Sequence, residues 1–181
     1  MNQPPRILVA GIGNIFLGDD AFGCLVVQAF VRRPMRAGVH VTDFGIRGLD
    51  LAYTLMENWD AAILIDACPR GDAPGTLYVI EPEIPEKSEE DPALMQGHSM
   101  DPVQVLQMVH HLRGKLPRVF LVGCEPSQLD PSEDFNLQMT APVAAAIEPA
   151  AARVAALIDE ILDNQILNEV QNDHPDIAPN A

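Results

Sequence analysis

The run AAILIDA, residues 61–67, is apolar on both faces of the strand it predicts, so that strand has to be central and covered above and below. Around it, other short apolar runs alternate with helical patterns. RILVAG (6–11) and VHVTDF (39–44) precede it as strands, and GTLYVIEP (75–82) and RVFLVGC (118–124) follow. Between the first two, Phe22, Leu25, Val26, Ala29 and Phe30 recur at helical spacing from Asp20 to the stop at RRP. LDLAYTLMENW (49–59) predicts a second helix. Asp101 and Pro102 form the N-cap and first turn of a third, with Val105, Met108, Val109 and Leu112 on one face and Gly114 at its end. Thr140 caps a last helix, expected to break or kink at Pro149 and to resume with Val154, Leu157, Ile158, Ile161 and Leu162 on one stripe. Strands alternating with helices predict an α/β fold: a three-layer sandwich with a mostly parallel, flavodoxin-like twisted sheet and helices on both faces. Residues 1–164 form one domain, with 165–181 a polar, frayed tail. The acidic segment EIPEKSEEDPALMQG (83–97) reads as an exposed loop.

Charge narrows the partners. The 181 residues are 48% hydrophobic and 20% charged, as in an ordinary globular chain, but the formal net charge is −15. Such a field repels phosphate backbones and anionic lipid, so neither nucleic acid nor a membrane surface is expected as a partner. The start, MNQPPRILVAGIG, has an apolar run too short for a signal peptide, and no uninterrupted apolar stretch is long enough to span a bilayer. Cys24, Cys68 and Cys124 stand far apart with no C-x-x-C pair, which suits a reducing, cytoplasmic setting.

The stretch GIGNIFLGDDAFG (11–23) then poses the functional question. A strand, a glycine-bearing turn and a helix resemble a dinucleotide site, and Asp43 falls where a ribose-binding acid would. The fingerprint nevertheless fails at its third position, Phe16. Electrostatics weigh further against it. An exposed helix N-terminus favours an anion by about 0.3–1 kcal/mol, whereas two like charges about 4 Å apart repel by about 4 kcal/mol at an effective dielectric near 20. Beside Asp19 and Asp20 a pyrophosphate loses; a cation fits. Singly, each acid has a plain structural role, Asp19 as an N-cap and Asp20 as a first-turn residue complementing the helix dipole.

Topology changes the odds. In such sheets ligands bind beyond the carboxyl ends of strands where the winding reverses, and in this order the first and third strands flank that crevice. Asp20 follows the first and Asp66 ends the third, where it either caps the following turn or faces the crevice. His98, in GHSMDP, lies at the same edge. His110, His111 and His174 read as surface residues, and His40 as a packed strand residue. Asp20, Asp66 and His98 together offer two carboxylates and an imidazole to one first-row divalent ion, with positions open for water or substrate.

At these residues the chain resembles the hydrogenase maturation endopeptidases, which remove a C-terminal extension from the large subunit of [NiFe] hydrogenase after nickel is installed. The resemblance runs from ILVAGIGNIFLGDDAFG through AAILIDA and GHSMDP to VFLVGCEP. It implies Asp20, Asp66 and His98 as ligands and catalytic groups, with no resident organic cofactor. The ion is then the nickel of the precursor, with zinc or cadmium able to substitute. Water activation falls to the metal or to a carboxylate base, for which Asp43 is the candidate. Two positions depart from the family pattern. Ala21 replaces the glycine after the acid pair, and the family's D-G-G-T-x-G appears as DFGIRG (43–48), with Phe44 and Ile46 replacing glycine and threonine. If that loop contacts the precursor, the large subunit served is a different one, and Arg47 either meets it or simply faces solvent. The rival functions are a metal-dependent hydrolase of small peptides, a nucleotide-binding oxidoreductase, and a non-catalytic scaffold for hydrogenase assembly.

Overall fold

A computed structural model describes residues 4–82, 101–112, 114–127 and 138–173, with side chains as far as residue 164. The acidic segment expected at 83–97, together with His98 and His174, lies outside the described residues. Five strands form one sheet: β1 (Ile7–Ile12), β2 (Val39–Gly45), β3 (Ala61–Ala67), β4 (Leu77–Ile80) and β5 (Arg118–Cys124). Their spatial order is β2-β1-β3-β5-β4, parallel except for β4, which runs antiparallel along β5 at the edge. The apolar third strand is the central one, with two strands on either side, as its two buried faces require, and residues 61 to 66 are all buried.

Helices cover both faces. α1 (Phe22–Phe30) and α4 (Ala141–Asp173) bury one core with Ile7, Val9, Ile63, Ile65, Phe120 and Val122 of the sheet. α2 (Gly48–Leu55) and α3 (Pro102–His111) bury the other with Leu8, Ala10, Leu64 and Leu121. The alternation of odd and even strand residues between these two cores is the strand period of two. The expected three-layer α/β sandwich is therefore the fold. Asp101 caps α3 as its position predicts, its Oδ1 accepting from the Val103 N–H at 2.8 Å with Pro102 following.

The last helix departs from expectation in running on past its proline. Pro149 does not interrupt it, because Pro149 and Ala145 both face solvent, where water satisfies the carbonyl that the missing N–H abandons. The helix also continues through the polar residues beyond 164 to Asp173. Within Ala141–Asn164 an 18-residue window reaches a mean hydropathy of 1.5 and the length of a bilayer span, but Glu148 and Arg153 break it, so it is not an uninterrupted apolar stretch. It is a core helix nonetheless. Val143, Val154, Leu157 and Ile158 are buried against α1 and the sheet, while Glu148, Asp159 and Glu160 form ion pairs on the outer face.

Candidate active site

β1 pairs directly with β3 at the point where the strand order reverses, the place where a crevice is expected. Two glycines place the first acid there. A Cβ on Gly23 would lie 2.1 Å from the Ile65 carbonyl oxygen and 2.3 Å from that of Ile12, so only glycine lets α1 sit on the β1–β3 junction. Gly13 holds φ at +126°, and a Cβ there would lie 1.8 Å from the Asp20 carbonyl oxygen. The glycines that suggest phosphate binding serve close packing instead. A 3₁₀ turn, Gly18–Ala21, leads into α1, and Ala21 is helical (φ −70°, ψ −6°), so alanine fits where the family pattern has glycine.

The adjacent acids then part company. Asp19 does not cap α1; its fully buried carboxylate accepts from the Thr140 N–H at 2.7 Å, the Thr140 hydroxyl at 2.9 Å and the Ser127 N–H at 2.9 Å. Thr140 accordingly contributes its hydroxyl to Asp19, and only its carbonyl joins the first turn of α4. Asp20 turns the other way. Its Oδ2 accepts from the Asn14 N–H at 2.7 Å, and the side chain lines a cleft of about 620 Å³ with Asp66 and Asp101.

Asp66 is 4% exposed, and its Oδ1 accepts only the N–H of the next residue, Ala67, at 2.9 Å. Among the described residues its other oxygen has no hydrogen-bond partner. Burial, and after it the negative charge of Asp20, pushes its pKa well above the ordinary carboxylate range. A buried acid facing a second acid across a cleft is an arrangement that a cation relieves. Among the described residues no three His, Cys, Asp or Glu side chains are grouped to hold a metal ion; His98 is not among them.

Asp43 lies within β2, opposite Gly11, and is not among the residues lining the cleft. Its Oδ1 accepts from the Gly45 N–H at 3.0 Å, and its carboxylate lies against the Cys24 thiol. In the segment it opens, Phe44 enters the core while Ile46 is 67% exposed and lines the cleft. Arg47 folds back on the carbonyls of Asp43 and Phe44 and pairs with Asp50 at 3.7 Å. All three cysteines are free thiols. Cys68 lines the cleft, but burial pushes its pKa up to about 12, as it does for Cys24, and Cys124 rises to about 11. Near neutral pH these are poor nucleophiles. Glu125 escapes a reading by motif: 4% exposed, it accepts from the N–H groups of Arg70 (2.7 Å) and Gly71 (3.1 Å) and from the Tyr78 hydroxyl (2.5 Å). Its one sequence signal is an acid that closes a buried strand, as Asp66 does.

Residues 24–157 match the HycI family model, described as hydrogenase maturation protease. The chain belongs to that family. It is 35% identical over 162 residues to the hydrogenase 2 maturation protease of Escherichia coli, covering 86% of this chain and 92% of that protein. It is 36% identical over 156 residues to the hydrogenase expression/formation protein HupD of Rhizobium leguminosarum bv. viciae, covering 85% and 74%. The solved structure of the hydrogenase maturating endopeptidase HybD from E. coli superposes with a TM-score of 0.64 at 34% identity, covering 86% and 93%. A hydrogenase maturation protease must bring a peptide bond, water and a proton carrier together. In this member the acid-lined cleft at the β1–β3 switch point is where described carboxylates meet.

Proposed function

We propose that this protease removes the C-terminal extension of a [NiFe] hydrogenase large-subunit precursor after nickel insertion, and that Asp20, Asp66 and His98 recognise the metal. The supporting observation is that Asp20 and Asp66, on separate strand ends, line one cleft with a buried, poorly satisfied carboxyl between them. Nickel is substrate here, arriving with the precursor. A precursor lacking it offers nothing to bridge the acids, so it is not held with its scissile bond in the cleft. Displacement of the Asp66 proton by the ion leaves a carboxylate positioned to take a proton from water and return it to the leaving amine. Asp43 supports the loop that carries Ile46 into the cleft wall. The free thiols accord with a cytoplasmic, reducing setting.

The test is mass spectrometry of a nickel-loaded precursor incubated with each variant. Asp20→Asn and Asp66→Asn are expected to process it at least about 100-fold more slowly than wild type, the scale of losing a directly acting group. Wild-type rates from both variants would overturn the assignment.

A further inference from the structure

Peptide hydrolysis builds negative charge on the scissile carbonyl oxygen, yet three carboxylates, Asp20, Asp66 and Asp101, line the cleft. Among the described lining residues the one cationic side chain is Arg70. We propose that Arg70 is a further catalytic residue whose guanidinium meets that developing oxyanion; this rests on the peptidase function proposed above.

Three observations place Arg70 for the task. Among the described residues its guanidinium forms no ion pair, since each of the six described ion pairs uses another arginine. It is shelved rather than loose, its Cζ 5.0 Å from the centroid of the Tyr78 ring. Its backbone is pinned from below, because Glu125 gathers the N–H groups of Arg70 and Gly71 and the Tyr78 hydroxyl. Glu125 is thereby satisfied by neutral donors and leaves the arginine charge free for a ligand. A cation on the wall of an acid-lined cleft is suited to charge that appears only during reaction.

In the step itself, a water oxygen bonds to the carbonyl carbon and the C=O π pair moves onto oxygen, where guanidinium N–H groups meet it. The pair returns as the C–N bond breaks. The amine leaves as an ammonium carrying both protons surrendered by the water, and the other product keeps a carboxylate.

Steady-state cleavage of nickel-loaded precursor by wild type, Arg70→Gln and Arg70→Lys tests this. For Arg70→Gln kcat should fall about 100-fold, as when an oxyanion donor is lost, with KM within about twofold, since the interaction forms only in the transition state. Arg70→Lys should recover part of kcat, and Tm should stay at the wild-type value because the guanidinium is exposed. Wild-type kcat in Arg70→Gln, or a loss confined to KM, overturns the role of Arg70 alone. Failure of wild-type protein to cleave the precursor overturns the peptidase function with it.

Discussion

Replacing Asp19 with alanine removes the fully buried acceptor of the Ser127 and Thr140 amides and the Thr140 hydroxyl, which are themselves part-buried. Unsatisfied buried donors cost about 1–3 kcal/mol each and are not additive, so Asp19→Ala should lose about 3 kcal/mol in urea unfolding. Asp20→Asn should lose little stability while losing processing, because its carboxylate faces the cleft and like charges rather than a set of buried donors. Asp66 gives the opposite stability effect. Its folded-state pKa is raised, so the folded form holds the proton more tightly, and stability is present below about pH 4 and drains as pH rises through the folded pKa. Asp66→Asn should therefore raise Tm at pH 8 and gain nothing near pH 4, with each kcal/mol relieved worth about 2–4 °C in a chain of this size. A Tm that falls at pH 8 would contradict the burial argument. Only part of this was legible in residues. Asp20 and Asp66 could be paired because strand order places them together. Asp19 could not be told from an N-cap, since its partner Thr140 lies 121 positions away.

At the level of elements, α1 and β4 position the two walls of the cleft. Gly23→Ala forces a methyl into the carbonyls of Ile65 and Ile12, so α1 must lift from the sheet and carry Asp20 with it. Overpacking of this kind costs about 1–3 kcal/mol, and the contacts at 2.1 and 2.3 Å argue for the upper end. Urea unfolding and precursor cleavage should both report the loss; full activity would mean that Asp20 does not depend on this packing. The helix α4 shows how composition alone misleads. Its apolar content satisfies the length and hydropathy of a bilayer span, but the apolar residues share one buried stripe. Flotation with phosphatidylcholine vesicles should leave the protein in the bottom fraction, and co-flotation would mean that the stripe is not held in the core. The strands and the existence of all four helices were readable from period and capping, because those signals are local. The fate of Pro149 was not, because it depends on which side of the helix meets water.

For the molecule as a whole, a net charge of −15 coexists with a site that gathers further acids and is relieved by a cation. Most of the charge sits on the surface, where Arg33, Arg36, Arg118 and Arg153 balance some of it in exposed pairs worth little to stability. In the cleft the acids face one another across a switch point that the topology creates, and the Tyr78–Glu125 support brings Arg70 to the same wall from the antiparallel edge. That support was illegible in sequence because it joins β4, β5 and the loop after β3 across the sheet. The acid pair was legible because the order β2-β1-β3 follows from which runs are most buried. The most direct measurement is the cleavage rate of one precursor preparation split into nickel-loaded and nickel-free halves, each incubated with the wild-type protein. A site that recognises the metal cuts the loaded half and leaves the other uncut. Equal rates in the two halves would contradict nickel recognition by Asp20, Asp66 and His98.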